Sequence, residues 1–241
     1  MGEPRILIVV PTFNERDNLP ILLDAVFAEQ READILVVDD ASPDGTGRVA
    51  DELATRDARI QVLHRAGKRG LGSAYVEGFK WGLEKGYSIF IEMDADMSHD
   101  PRYLAPLLGA LDDGADVAVG SRNIPEGGVE GWGIGRQFIS KGGSLYSRAI
   151  LGVSIHDLTT GFKAYKRRAL ELIDLDRVES NGYAFQIETT FRALCKGLKV
   201  VEIPIVFIDR RVGQSKMSRR IFFEAIRIPF RLRIAALRER L

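Results

Sequence analysis

The chain has 241 residues, 45% of them hydrophobic, enough for one substantial core and short of what two full domains need. Its 34 Lys and Arg balance 34 Asp and Glu, and nucleic acid is not an expected partner. The single cysteine, Cys195, excludes an internal disulfide and a multi-cysteine metal site and is read as buried filler; no apolar run approaches the roughly 20 residues of a membrane-spanning helix.

The strand-like run Arg5-Ile6-Leu7-Ile8-Val9-Val10 opens the chain before a signal-peptide core could form, so no targeting segment is expected. Short β-branched runs then alternate with helical stretches: strands near 5–10, 34–38, 60–64, 87–93 and 116–120, helices near 17–30, 45–57, 71–86 and 100–112. That alternation predicts an α/β fold, a mostly parallel central sheet with helices on both faces. After Arg122 the run Pro125-Glu126-Gly127-Gly128-Val129-Glu130-Gly131-Trp132-Gly133 is too glycine-rich for a helix and too long for a tight turn, and is read as a mobile active-site loop with Trp132 exposed. A second αβ section follows, with a helix near 136–150, a short strand near 162–166, a helix near 184–196 and a strand near 199–207.

The predicted fourth strand runs straight into Asp94-Ala95-Asp96. In extended chain, residues two apart point to the same side, so both carboxylates can converge at the strand's C-terminal edge, where open α/β sheets bind ligands. Carboxylates this close repel unless a proton or a cation sits between them, and all-oxygen ligation suits Mg²⁺ or Mn²⁺. Spacing alone does not select them, because Asp174-Leu175-Asp176 has the same pattern at an apparent helix end. His64, His99 and His156 form no metal triad by spacing; His99, beside the aspartates, is a candidate supporting group.

Strand one ends in Pro11-Thr12-Phe13-Asn14-Glu15 and strand two in Val38-Asp39-Asp40-Ala41-Ser42-Pro43-Asp44-Gly45-Thr46, facing the same crevice. Their carboxylates and carbonyls can accept from ribose hydroxyls and base edges, with Phe13 as an apolar surface. No G-x-G-x-x-G follows strand one and no G-x-x-x-x-G-K-[ST] occurs, which argues against dinucleotide oxidoreductases and P-loop nucleotidases.

Six motifs in order complete the pattern: Val37-Val38-Asp39-Asp40-Ala41-Ser42-Pro43-Asp44-Gly45-Thr46, Gly70-Leu71-Gly72-Ser73-Ala74-Tyr75, Met93-Asp94-Ala95-Asp96-Met97-Ser98-His99, Gly120-Ser121-Arg122, Thr159-Thr160-Gly161-Phe162 and Phe185-Gln186-Ile187-Glu188. With these the sequence resembles the family-2 glycosyltransferases, specifically the polyprenol-phosphate mannosyltransferases, over almost its whole length. The resemblance implies a Rossmann-like glycosyltransferase A fold and a GDP-mannose donor held by Pro11, Phe13, Glu15, Val38, Asp40, Ala95, Arg210 and Lys216. It implies a metal, Mg²⁺ or Mn²⁺, on Asp94 and Asp96, with Arg122, Arg136 and Ser140 against the phosphate of a polyprenyl phosphate; guanidinium forks and a hydroxyl suit that task. Asp96 and Arg122 are the expected catalytic pair. Phe13 stands where tyrosine is frequent, and Ser98 where a glutamine often completes the metal shell. A phosphate nucleophile is already anionic, so direct in-line attack with inversion and no general base is expected. A polyprenol-phosphate glucosyltransferase using UDP-glucose and a non-catalytic nucleotide-sugar-binding protein are the alternatives at this point.

Residues 215–241 hold eight Lys and Arg against two Glu, leaving a tail near +6 beside a catalytic domain, 1–214, near −6. Phe223, Ile226, Phe230, Ile234, Leu237 and Leu241 recur at helical steps while Arg220, Arg227, Arg231 and Arg238 take another face, which predicts an amphipathic helix broken or kinked at Pro229. Such a tail suits an anionic membrane surface. The expected location is therefore the cytoplasmic face of a membrane, peripherally, with an integral membrane protein as a further expected partner.

Overall fold

The computed structural model describes residues 4–180, 182–209 and 219–238. Strands β1 (Ile6–Thr12), β2 (Ala33–Asp39), β3 (Ile60–His64) and β4 (Ile89–Glu92) alternate with helices α1 (Asn18–Glu29), α2 (Thr46–Arg56) and α3 (Leu71–Glu84). Helix α4 (Leu104–Asp112), β5 (Val117–Ser121), β6 (Gly128–Glu130), α5 (Ile134–Leu151), β7 (Lys163–Lys166) and α6 (Arg167–Ile173) follow. The chain continues through α7 (Tyr183–Cys195), β8 (Val200–Pro204), β9 (Val206–Ile208) and α8 (Arg219–Leu237).

Seven strands form one sheet in the order β3-β2-β1-β4-β7-β5-β8, parallel throughout except β7, which runs antiparallel to both neighbours. Alternation along each strand divides the core. Ile8, Val10, Ile35, Val37, Ile89 and Ile91 pack on one face beneath Leu22 and Val26 of α1 and Leu107 and Leu111 of α4. Leu7, Val9, Leu36, Val38 and Phe90 pack on the other with Tyr75 and Phe79 of α3 and Phe185 of α7. Burial on both faces is why these strands read as unbroken apolar runs. Helix α3 lies close because it presents glycine: a Cβ on Gly78 would sit 2.5 Å from Val9 Cγ1, and one on Gly82 2.5 Å from Leu7 Cδ2.

Four expectations change. The loop after Arg122 contains β6, paired in parallel with β9, and Trp132 is half-buried with its ring 5.4 Å from that of Phe207. The strand expected near 199–207 is two strands, because at buried Ile205 the chain leaves the main sheet to pair with β6. Cys195, at the end of α7, is exposed. Helix α8 is not broken at Pro229, which lies inside it. Proline inside a helix removes a hydrogen bond, but Ile228 and Leu232, on either side of it, are buried with Leu151 at the end of α5, Ile155 beyond it, and Ile187 and Phe191 of α7, which holds the helix together. Phe223, Ile226 and Arg220 have side chains outside the described set, and Leu241 lies outside the described residues.

A polar layer runs through the sheet. Glu92 and Lys163 are register partners on β4 and β7, both wholly buried. Lys163 Nζ donates to Gln186 Oε1 (2.6 Å), Gln186 O (2.9 Å) and Thr189 Oγ1 (3.2 Å), while Tyr165 donates to Glu92 Oε1 (2.8 Å). Burial pushes the Glu92 carboxyl up to about 7, against the pull of Lys163, and burial pushes Lys163 down to about 8 against the pull of Glu92. A raised carboxyl means the folded state keeps a proton the unfolded chain has released, so stability falls as pH rises from the ordinary value of 4.5 through about 7. A depressed lysine gives the reverse, a gain as pH rises from about 8 to 10.5. Lys163→Met is expected to cost about 3–5 kcal/mol, to extend the falling limb of Glu92 to higher pH, and to remove the gain on the alkaline side; urea unfolding between pH 5 and 10 measures all three.

Candidate active site

The ends of β1, β2 and β4 lie side by side, and the turn after each contains a non-glycine residue in the left-handed region: Asn14 (φ 61°), Ala41 (φ 53°) and Met97 (φ 62°). Such backbone persists only where its surroundings fix it. Here Asp39 accepts from Thr12 Oγ1 (3.0 Å), Ser42 N (3.0 Å) and Ser42 Oγ (2.6 Å). Ser42 Oγ accepts from Asn14 N (3.0 Å), and Thr46 Oγ1 from Glu15 N (3.0 Å). The two turns are therefore one stitched wall. Phe13 and Glu15 are half-buried on it, and Lys68 Nζ lies 4.0 Å above the Phe13 ring. Pro11 is paired with Val38 in the sheet; the Val38 side chain is core, leaving only its main chain to face a ligand. Asp40 is held by buried Arg65 and by Arg69 N (3.2 Å), and Arg65 in turn donates to Ser73 Oγ (2.6 Å) and Glu77 Oε2 (3.1 Å).

Beyond β4, Asp94 is partly exposed while Ala95 and Asp96 are buried. Tyr75 donates to Asp94 Oδ1 (3.2 Å), and its own hydroxyl is driven well above its ordinary pKa, first by burial and then by the charges of Asp94, Glu92 and Asp96. His99 stacks on Phe162 (4.9 Å between ring centres) and accepts from Asp94 N through Nδ1 (3.0 Å), so the neutral ring carries its proton on Nε2, 3.9 Å from Asp94 Oδ2. Asp96 Oδ1 accepts from Ser98 N (3.1 Å), and the buried Ser98 hydroxyl has no hydrogen-bond partner among the described residues. Hard carboxylate oxygens beside an orphaned hydroxyl fit Mg²⁺ or Mn²⁺. Among the described residues no three His, Cys, Asp or Glu side chains gather to hold a metal unaided, so further donors must come from a ligand or from water. Asp174 and Asp176, which share the spacing, sit in a surface turn paired with Arg177 and Lys80.

Across from the carboxylates, Arg122 follows β5 and is buried against Asp157: Nε donates to Oδ2 (2.6 Å) and Nη2 to Oδ1 (2.8 Å). Burial alone would push Asp157 up, but the charge of Arg122 and the hydrogen bonds it receives hold it below the usual carboxylate range. Glu202 braces the same loop, accepting from the backbone N–H groups of His156 (2.8 Å) and Asp157 (3.0 Å). Arg122 and Ser140 line one cavity of about 220 Å³, together with Asn123, Trp132, Gln137 and Lys141. The Arg136 backbone lies in the first turn of α5 and its side chain is outside the described set; Arg210 and Lys216 lie outside the described residues. Phe207 joins the two halves, its ring centre 5.7 Å from that of His99 and 5.4 Å from both the Arg122 guanidinium and the Trp132 ring. Sequence reasoning missed Tyr75, Asp157, Phe207 and Lys141 as parts of the site. Tyr75 closes the motif that begins at Gly70, and Asp157 stands two residues before the Thr159-Thr160-Gly161-Phe162 motif; these are the local signals available.

Phe207→Ala is expected to destabilise the protein by about 3 kcal/mol and, in a Trp81→Phe background that leaves Trp132 as the only fluorophore of its kind, to shift its emission to the red. Phe207→Leu should keep most of both.

The sequence profile of glycosyl transferase family 2 matches residues 7–173. The chain is 54% identical over 215 residues to the polyprenol monophosphomannose synthase of Mycolicibacterium smegmatis, covering 89% of this chain and 81% of that protein. It is 49% identical over 222 residues to the undecaprenyl-phosphate mannosyltransferase of Micrococcus luteus, covering 92% and 91%. Among solved structures it superposes on glucosyl-3-phosphoglycerate synthase from Mycobacterium tuberculosis, in complex with Mn²⁺, UDP and glucosyl-3-phosphoglycerate (TM-score 0.64, 19% identity, 99% of this chain and 80% of that one). It also superposes on a mannosyltransferase from Pyrobaculum calidifontis in complex with GDP-Man and Mn²⁺ (TM-score 0.58, 17% identity, 99% and 75%). With the sheet, the carboxylate edge and these matches in agreement, the chain belongs to glycosyl transferase family 2 and is a glycosyltransferase of the group that includes the polyprenyl-phosphate mannosyltransferases.

Proposed function

We propose that the protein transfers mannose from GDP-mannose to the phosphate of a polyprenyl monophosphate, with inversion. The observation that carries this reading is the chemistry of the cavity lined by Arg122 and Ser140. Its described lining offers guanidinium, ammonium, amide and hydroxyl groups and contains no carboxylate or imidazole. A hydroxyl acceptor would need a base within reach of its proton; an anionic phosphate needs donors, which is what the cavity supplies. The names of the two relatives at 54% and 49% identity support the acceptor class and the sugar.

The nucleotide is assigned to the stitched wall, with Pro11, Phe13, Glu15, the main chain at Val38, and Asp40, and to Ala95 after β4; Arg210 and Lys216, outside the described residues, are assigned to it by the resemblance alone. Asp94 and Asp96 would hold Mg²⁺ or Mn²⁺, which supplies Lewis-acid stabilisation of the departing nucleoside diphosphate. His99 and Tyr75 orient Asp94, and the Ser98 backbone orients Asp96. Arg122, Arg136 and Ser140 receive the acceptor phosphate. Asp157 fixes Arg122 beforehand, so little ordering is lost when the phosphate docks.

Peripheral membrane contact through α8 belongs to the same reading. No helix among the described residues is long and apolar enough to cross a membrane. Ile228 and Leu232 face inward, while Phe230, Ile234 and Leu237 are exposed at steps of four and three, with Arg227, Arg231 and Arg238 also exposed. Apolar groups flanked by arginine fit an anionic interface.

Purified protein, a panel of nucleotide sugars and a short polyprenyl phosphate with Mg²⁺ or Mn²⁺ should give label in the organic phase from GDP-mannose. Asp96→Asn should lower kcat by roughly a hundredfold or more. Transfer from UDP-glucose alone would replace the donor assignment. In flotation with anionic vesicles, Phe230→Asp combined with Leu237→Asp should lose most membrane binding yet keep transfer to a water-soluble acceptor; undiminished flotation would remove α8 from the membrane contact.

A further inference from the structure

We propose that Lys141 is a phosphate-binding residue of the acceptor site, supplying the net positive charge that Arg122 does not. The inference deepens the acceptor reading and rests on it. Arg122 brings a cation to the cavity, but Asp157, fully buried, takes both its Nε and Nη2, and Nη2 also donates to Thr159 Oγ1 (2.9 Å). Guanidinium and carboxylate together carry no net charge. The pair therefore fixes geometry and offers residual N–H donors without offsetting the charge of an incoming anion.

That offset matters here. A phosphate monoester carries about −1.5 to −2 charges near neutral pH, and on the other side of Phe207 stands His99, hydrogen-bonded to Asp94 N, where the proposed reaction places the carboxylates and a nucleoside diphosphate. Two anionic partners approach each other here, and their repulsion opposes binding unless a cation is placed on the acceptor side.

Lys141 is placed there. It lines the same cavity as Arg122 and Ser140, and it follows Gln137, another lining residue, by one helical turn. Its side chain is exposed, with no hydrogen bond or ion pair to any described residue. The exposed stem keeps the ammonium hydrated until a phosphate arrives, and exchanging water for a doubly charged oxyanion is favourable where exchanging it for a neutral group is not. Lys141 thus discriminates phosphate from alcohol at the head of the acceptor, alongside Arg136.

The test is equilibrium binding of farnesyl phosphate to donor-free full-length protein, read through Trp132 fluorescence in the Trp81→Phe background, with farnesol as the uncharged control. Lys141→Gln should weaken farnesyl phosphate binding by about tenfold or more, leave farnesol and GDP binding unchanged, and raise the acceptor KM with kcat at saturation nearly unchanged. Lys141→Arg should recover most of the loss. Unchanged farnesyl phosphate affinity in Lys141→Gln, equal weakening of GDP, or no binding of farnesyl phosphate by the parent protein would each overturn the proposal. Lys141-dependent binding without sugar transfer from any donor would refute the mannosyltransferase reaction while leaving this site standing. Transfer in Lys141→Gln with an unaltered acceptor KM would do the opposite.

Discussion

The constraint on which the molecule depends is that its central strands are buried on both faces, so polar chemistry can collect only where the strands run out. β1, β2 and β4 are parallel neighbours, and their ends deliver Thr12, Asp39 and Asp94 to one edge. Everything that could bind a ligand on that side is a turn following an apolar strand. The rigidity of those turns comes from side-chain acceptors, Asp39, Ser42, Asp44 and Thr46, that satisfy backbone N–H groups the sheet no longer pairs. The same geometry explains why Asp94 and Asp96 differ from Asp174 and Asp176. The second pair ends a helix at the surface and is neutralised by nearby cations, whereas the first is projected by a buried strand into a region already crowded with carboxylates.

Glu92 is the exception to the burial rule. A carboxyl in the middle of the core is tolerated because β7, inserted antiparallel between β4 and β5, brings Lys163 beside it, and because Tyr165, Gln186 and Thr189 complete the layer. Opposite charges with their own donors cost far less than either alone. The layer lies two residues beneath Asp94 and within reach of Gly161, where a Cβ would stand 3.3 Å from Gln186 Nε2 and 3.7 Å from Asp94 Oδ2. Thr159-Thr160-Gly161-Phe162 and Phe185-Gln186-Ile187-Glu188, distant in sequence, are thereby parts of one support beneath the carboxylates.

The sequence discloses what local pattern determines. Alternation of strand and helix places β1 to β5 and α1 to α4 within a few residues, and the apolar strand before Asp94-Ala95-Asp96 marks the edge. What escapes it is long-range pairing. β6 is three residues in a glycine-rich run, and it is a strand only because β9 arrives from 78 residues further on, Gly128 opposite Val206. Trp132 reads as exposed until Phe207 covers it. Asp157 reads as one more carboxylate before a turn; its value lies in Arg122, 35 residues earlier. Cys195 fails differently, since helical periodicity near a terminus does not say which side of the last turn faces water.

Helix α5 is the element through which these parts act on one another. Its first turns border the cavity with Gln137, Ser140 and Lys141, and Leu145, one turn beyond Lys141 on the same stripe, is 64% exposed. Tyr146, next in the chain, meets the ring of Phe230 on α8 at 6.2 Å. From Lys141 to Leu145 the helix rises about 6 Å, so the cavity and the exposed Leu145 side chain are separated by little more than one turn. A lipid phosphate requires that arrangement if its head is to reach the sugar while its chain stays in an apolar phase. Docking α8 on α5 and α7 through Ile228 and Leu232 then has two effects at once: it closes the third core cluster, and it holds the arginine-flanked face at a fixed height relative to the cavity.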